Sequence, residues 1–285
     1  MKHISLKQNT PEWLEYRKKG IGASDAPIIL GCSIWKTPYQ LWLEKLGFAS
    51  CFETNDAIER GKNLEESARH VFTSMTGVHV FPSVIESKDY PWMFASLDGI
   101  SLNDSCMVEI KCPGKKDHEI AMSGSVPEKY YPQLQHQLAV SGLEEMYYFS
   151  FDGIKGKILT VKRSEEYIND MIEKEREFYR CINEIDPPKL TDRDYSERDD
   201  LQWHNAVISW LKRKNYLKQA EIDERNAREQ LINLCGFKNT KGAGIKIQKI
   251  IRKGSINYSC IPELKDINLD LYRESSKEIW RICEI

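Results

Sequence analysis

Between residues 56 and 76 the apolar positions Ile58, Leu64, Ala68, Val71, Phe72 and Met75 recur at helical spacing and predict one long helix. The period then changes. Residues 78–87, 92–102 and 105–111 alternate apolar and polar side chains, and predict three strands of a meander. Residues 127–141 return to helical spacing, with Pro132 either kinking the helix or marking its true start. Two further runs, 146–151 and 157–162, flank Asp152-Gly153 as a hairpin, and 164–184 is amphipathic at helical period.

Capping signals place the elements before this block. Pro11 opens a helix that Gly20 stops. Ser24 or Asp25 can cap a short helix ending at Gly31. Thr37, Pro38 and Gln40 form a capping box for a helix running to about Leu46. Residues 185–200 are polar, hold Pro187 and Pro188, and read as a connection. A long helix over 201–234 follows, then a hairpin of 245–251 with 255–261 turning at Arg252-Lys253-Gly254. The tail, 267–285, is expected to pack back onto the body. The order predicts an α/β fold with a mixed central β-sheet flanked by helices. Its core is 1–188, its linker 189–200, and its C-terminal helix-and-hairpin extension 201–285.

Composition narrows the class. Hydrophobic residues make up 41% of the 285, enough for a packed core. No apolar run approaches the ~20 residues of a membrane span, so no membrane association is expected. The eight cysteines are scattered without a Cys-x-x-Cys pair, which favours reduced thiols in a cytoplasmic protein over a zinc or iron–sulfur site. Net charge is only −2, yet residues 212–253 carry twelve Lys or Arg against four Asp or Glu. A separate basic track for DNA would show that asymmetry, as would a solvated helix.

The candidate chemistry lies in the meander. Glu-x-Lys occurs at 86–88, 109–111 and 263–265, but only Glu109-Ile110-Lys111 sits in an apolar run with an Asp-Gly shortly before it. Alternation puts Glu109 and Lys111 on one face, with Val108 and Ile110 on the other. Asp98 is placed near a strand end beside Gly99. Two carboxylates and an ammonium converging on one point suit Mg²⁺-assisted phosphodiester cleavage. On the long helix Leu64, Ala68 and Phe72 mark the buried side, and Glu65 lies at its margin. Trp35, Tyr39 and Trp42 are either core or an apolar wedge for unpaired bases. His118 and His136 lack a ligand-spaced partner and are expected at the surface or behind the site.

Five stretches in consistent order carry a family resemblance: Trp13 to Asp25, Gly61 to Arg69, Ser96 to Gly99, Glu109 to Pro113, and Gln133 to Gln137. Over about residues 10–185 the chain resembles the lambda-exonuclease/YqaJ branch of the PD-(D/E)xK nucleases, whose core is restriction-endonuclease-like. The resemblance implies Asp98 and Glu109 as principal metal ligands, with the Ile110 carbonyl, and Glu65 serving a second metal. Lys111 would orient and help deprotonate the attacking water. Gln133 would position Lys111 or the nucleophile, with Gln135 competing because Pro132 blurs the local register. Arg17 and Ser24 would hold a DNA 5′-phosphate. The implied activity is a Mg²⁺-dependent (Mn²⁺ as substitute) 5′→3′ exonuclease on double-stranded DNA ends in phage-type recombination. A homotrimer and a single-strand annealing protein as partner are implied with it. The rivals are a flap- or site-acting endonuclease of the same fold, and a non-catalytic DNA-end-binding module. Four retained residues, Glu65, Asp98, Glu109 and Lys111, argue against the last.

Overall fold

The computed structural model describes residues 1–49, 56–236, 238–264, 267, 269–274 and 282. The chain divides into two compact units, Met1–Glu197 and Arg198–Ile285.

The first unit is built on β1 (Lys2–Ile4), α1 (Pro11–Lys18), β2 (Ile21–Gly22), α2 (Ala26–Ile29), α3 (Pro38–Lys45) and α4 (Asp56–Thr76). It continues with β3 (Phe81–Glu86), β4 (Met93–Ile100), β5 (Met107–Lys111), α5 (Lys115–Met122) and α6 (Tyr131–Ser141). β6 (Glu145–Phe151), β7 (Gly156–Lys162) and α7 (Glu165–Glu184) complete it. The strands form one sheet in the order β1-β3-β4-β5-β6-β7, and β2 pairs with β4 off that path. β5–β6 and β2–β4 are parallel and the other pairs antiparallel. The mixed α/β sheet expected from the sequence is present.

Each face of the sheet is covered by helix. Ala95, Leu97, Met107, Met146 and Tyr148 pack with Leu134 and Leu138 of α6 and Met171 of α7. On the other face Val108, Ile110, Phe149 and Phe151 pack with Ala68 and Phe72 of α4. β5 is therefore buried on both sides, as a strand with a parallel neighbour should be.

Local chemistry sets the ends. Thr37 Oγ1 accepts from Gln40 N at 3.1 Å while the Gln40 side chain takes the Thr37 N–H, so the capping box before α3 forms. α6 begins at Tyr131, and Pro132 sits in its first turn where no N–H is needed. α5 carries no expectation from the sequence. The loop over residues 33–37 is held from far along the chain. Arg193 donates to the carbonyls of Ser33 and Ile34, both at 2.9 Å, and Thr37 donates its hydroxyl to Asp194.

The second unit contains α8 (Leu201–Leu234), capped by Asp200 Oδ1 accepting from Trp203 N at 3.0 Å. A hairpin follows, but not where the sequence placed it. β8 (Thr240–Gly242) pairs with β9 (Ile245–Ile247), turning at Ala243 and Gly244 with φ of 45° and 80°. A type I′ two-residue turn needs φ > 0 at both central positions, which Ala243-Gly244 adopts here. The expected second arm, 255–261, instead holds a 3₁₀ turn, Tyr258–Cys260. Most of the tail over 267–285 lies outside the described residues.

Candidate active site

β4 runs through Asp98 to Ile100, so Asp98 is inside the strand rather than at its end. Plain alternation from Leu97, which faces α6, would send Asp98 to the α4 face. The pairing with β3 prevents this: Ser83 opposes Leu97 and Phe81 opposes Ile100, so β4 holds one extra residue there. Such a bulge re-aims a side chain. Gly99 makes it possible, because a Cβ there would lie 2.7 Å from Val80 Cγ2 and 2.8 Å from Val108 Cγ1. Asp98 then reaches β5, where its Oδ2 accepts from Ile110 N at 2.8 Å. Ile110 thus touches Asp98 through its amide.

Glu109 and Lys111 share the α6 face of β5. Glu109 is only 2% exposed. Its Oε1 receives Lys111 Nζ at 2.6 Å and Gln133 Nε2 at 2.6 Å, and its Oε2 receives Gln137 Nε2 at 2.6 Å. Gln133 and Gln137 are one helical turn apart on α6, and together they grip both oxygens. Gln135 faces elsewhere, bonding Lys162 O and Ser164 N, so its candidacy ends. The Lys111 ammonium also lies 5.4 Å from the ring centre of Tyr130.

Burial raises the Asp98 carboxyl well above the usual range, and the charges of Glu109 and Glu65 push it further against the pull of Lys111. Burial alone would lower Lys111, but Glu109 and Asp98 outweigh it and hold the ammonium charged. Cys112, next in sequence, is pushed up to about 11 by burial and then by Asp98 and Glu65. Glu65 stands on α4 with its Oε1 2.6 Å from Arg69 Nη2. Arg69 Nε donates to the Asp98 carbonyl at 2.8 Å, tying α4 to the bulge.

A second cluster forms around α1 and β2. Arg17 Nη2 donates to Ser24 Oγ at 2.9 Å and lies 3.3 Å from Asp25 Oδ1, with the guanidinium 4.8 Å above the Trp13 ring. Asp25 is 2% exposed. Its Oδ2 receives Lys45 Nζ at 2.6 Å and Gly22 N at 2.9 Å. Burial opposes the Asp25 charge, but Lys45, then Arg17, hold it below the ordinary value. Lys45 also donates to the carbonyls of Arg17 and Gly20, at 2.7 and 2.8 Å, and so closes the end of α1. Trp13 Nε1 donates to Ser96 Oγ at 2.9 Å. Ser96 precedes Asp98 by two residues, ~7 Å along a strand. The two clusters are therefore joined through β4.

The aromatic candidates divide. Trp42 is core, with Nε1 donating to Cys181 O at 2.9 Å, and Tyr39 stacks on it at 5.8 Å. Trp35 is 75% exposed. The histidines are buried rather than superficial. His118 Nδ1 pairs with Ser150 Oγ at 2.8 Å, and His136 Nδ1 with Glu175 Oε1 at 2.8 Å. Helical packing of α5 and α6 onto the sheet encloses both.

Asp25, Lys45, Arg69 and Gln137 stood in the sequence without a functional expectation. Gln137 was within reach of simple spacing: a Gln four residues after Gln133 shares its helix face. Asp25 and Lys45 meet only through tertiary packing.

Among the described residues no three Asp, Glu, His or Cys side chains stand arranged to enclose a metal ion. The donor set nevertheless fits one class of cation. Hard carboxylate oxygens crowded enough that Glu109 and Glu65 help raise the Asp98 carboxyl favour a divalent ion, and Mg²⁺ uses one or two carboxylates plus water and substrate phosphate. The donors named are oxygens rather than the thiolate or imidazole groups that softer metals take.

Residues 12–144 match the family model of the YqaJ-like viral recombinase domain. The protein YqaJ of Bacillus subtilis (strain 168) is 33% identical over 174 residues, which is 59% of this chain and 54% of that protein. The chain thus spans about half the length of this curated relative. In fold it is similar to the crystal structure of LHK-Exo, an alkaline exonuclease from Laribacter hongkongensis. The TM-score is 0.53 at 24% identity, over 73% of this chain and 98% of that one. LHK-Exo in complex with dAMP gives a TM-score of 0.53 at 23% identity. The fold is restriction-endonuclease-like.

Proposed function

We propose, from the match of residues 12–144 to the YqaJ-like viral recombinase domain, that the protein belongs to that family and is a metal-dependent deoxyribonuclease acting 5′→3′ on duplex ends. One observation carries the reading. The Arg17–Ser24 pair is linked through Trp13 and Ser96 to the strand bearing Asp98, so an anion site and a carboxylate–ammonium centre share one framework. A guanidinium fork beside a hydroxyl suits a terminal phosphate.

Asp98, Glu109 and the Ile110 carbonyl would hold a divalent cation, Mg²⁺ or in its place Mn²⁺, with Glu65 near a second. When bound, the cation would lower the pKa of water and stabilise charge on the phosphate oxygens. The chain's own residues do the rest. Lys111 orients the attacking water and balances charge that develops on phosphorus oxygens. Gln133 and Gln137 fix the Glu109 rotamer. Water adds to phosphorus, the bond to the 3′ oxygen breaks, and a 5′-mononucleotide leaves. The next nucleotide then presents a new 5′-phosphate to Arg17 and Ser24, and repetition exposes a 3′ single strand.

Linear duplex labelled at either 5′ or 3′ ends, beside a covalently closed circle, tests this directly. Loss of the 5′ label as mononucleotide with an intact circle is expected. A nicked circle would replace the reading with an endonuclease, and retained end binding without cleavage in Mg²⁺ or Mn²⁺ would replace it with a binding module.

Two substitutions probe the roles. Arg17→Ala should abolish preference for 5′-phosphorylated over 5′-hydroxyl ends, about tenfold or more from losing a charged hydrogen-bond donor. Equal discrimination in the variant and the parent would sink the pocket. Gln137→Met keeps volume and removes a side chain whose own Oε1 is buried without a partner. It leaves Glu109 Oε2 without its donor, so a stability loss of about 1–3 kcal/mol is expected together with slower cleavage per folded molecule, since Glu109 loses one of its three donors. An unchanged rate would deny Gln137 a positioning role. The family resemblance extends the proposal to a ring of three subunits and a single-strand annealing partner, tests for which are solution mass and co-purification.

A further inference from the structure

The second unit carries a charge pattern that the fold of the first does not use. From Glu229 to Glu263 the chain holds six Lys or Arg residues and no acid between them. Two of these cations are paired against each other. Lys241 and Lys246 are directly opposite in the β8–β9 register, and both are exposed. Like charges facing across a ladder destabilise a hairpin that is already marginal with two strands. Lys249 N donates to Asn239 Oδ1 at 2.8 Å and closes the hairpin mouth, which brings Lys238 and Lys249 to its base. Four lysines thus crowd one small hairpin.

α8 repeats the theme with rings. Lys212, Arg213, Lys214 and Lys218 are exposed within two turns. Lys214 Nζ lies 4.9 Å from the Trp210 ring centre and Lys212 Nζ 5.8 Å from that of Tyr216. Tyr216 is 65% exposed. Cations interleaved with open aromatic faces match a strand whose phosphates need neutralising and whose bases need a surface to stack on. A duplex keeps its base faces to itself and would leave those rings without work.

We propose that residues 201–253 form a binding arm for single-stranded DNA, gripping phosphates with the lysines of α8 and the hairpin and stacking bases on Tyr216. The polymer is taken from the nuclease reading above, whose product is a single strand.

The test uses the full chain without divalent metal, so that binding is read apart from cleavage. Labelled oligothymidylate and a closed-end duplex are titrated by fluorescence anisotropy across a salt series. K241Q/K246Q should lower the slope of log K against log salt by about 0.7 per lost phosphate contact, and weaken oligothymidylate binding about tenfold or more near 0.1 M salt. K212Q/K214Q/K218Q should do the same or more. Tyr216→Ala should weaken oligothymidylate about fivefold and leave the duplex unchanged. Unaltered slopes and affinities in the lysine variants overturn the arm, and a larger loss for the duplex overturns its single-strand assignment. A chain that cleaves nothing, yet loses oligothymidylate through these substitutions, would keep this inference and refute the nuclease.

Discussion

Lys111→Ala should reduce single-turnover release of 5′-mononucleotide by about 10³-fold or more, the scale of losing a preorganised charge at a reacting centre. DNA-end binding should persist, because Arg17 and Ser24 are untouched. Cation binding should persist or tighten, since Lys111 lies 2.6 Å from Glu109 and its charge competes with any cation there. That combination separates a chemical role from a structural one. Simple unfolding would lose end binding and cation binding together with the rate. Turnover at the parent rate in a folded variant would remove Lys111 from the mechanism.

The largest stability effect is expected at a buried pair outside the proposed metal ligands. His136 and Glu175 are both 0% exposed and join α6 to α7, while His136 Nε2 lies 3.0 Å from the Phe94 carbonyl on β4. With acceptors at both ring nitrogens the imidazole is held as a double donor. His136→Ala would leave the Glu175 carboxylate buried and uncompensated, at a cost of about 3–5 kcal/mol. For a unit of this size that is a fall in Tm of about 10 °C, read by thermal denaturation. A loss under about 1 kcal/mol, the scale of an exposed ion pair, would show that the pair is not acting as a buried one.

The same pair has a pH signature. Burial pulls the His136 pKa down, but the Glu175 charge and hydrogen bond, with the Phe94 carbonyl, raise it above the ordinary histidine value. A raised folded-state pKa contributes stability that is fully present below the unfolded value of about 6.5. That contribution is lost as pH rises through the folded-state pKa. The stability difference between the parent and His136→Ala should therefore be greatest at mildly acid pH and shrink toward alkaline pH. A difference that grows with pH would reverse the assignment of charge.

Much of this site is legible in the sequence because strand alternation is a strict rule. Glu109 and Lys111 share a face in any strand through 107–111, opposite the apolar Val108 and Ile110; that α6 also covers the Glu109 face is not legible there. The same rule misplaces Asp98. Counting from Leu97 sends it to the wrong side, and only the extra β4 residue against Ser83 and Phe81 brings it to Ile110 N. A bulge is a property of two strands, so one strand's pattern cannot show it. Lys45 is hidden for a similar reason. It closes helix α3 with a positive charge, as many surface lysines do, yet packing turns it inward onto Asp25 and the carbonyls of Arg17 and Gly20. The hairpin of the second unit slipped because Arg252-Lys253-Gly254 is as good a turn on paper as Ala243-Gly244. Gly-Ala-Gly carries less polarity than most turns and drew no attention.

The Arg193 guanidinium on the carbonyls of Ser33 and Ile34 bears on how the molecule can be shortened. A fragment ended at 188, where the alternation of elements stops, would contain every side chain of both clusters. It would also release the loop that carries Trp35 from the two hydrogen bonds of Arg193 and the Thr37–Asp194 contact. A protease should then cut faster between α2 and α3, at a stretch already exposed at Ile34 and Trp35 but no longer tied down. The shortest fragment that keeps this loop tied down ends beyond Asp194, within the residues that look in sequence like mere tether.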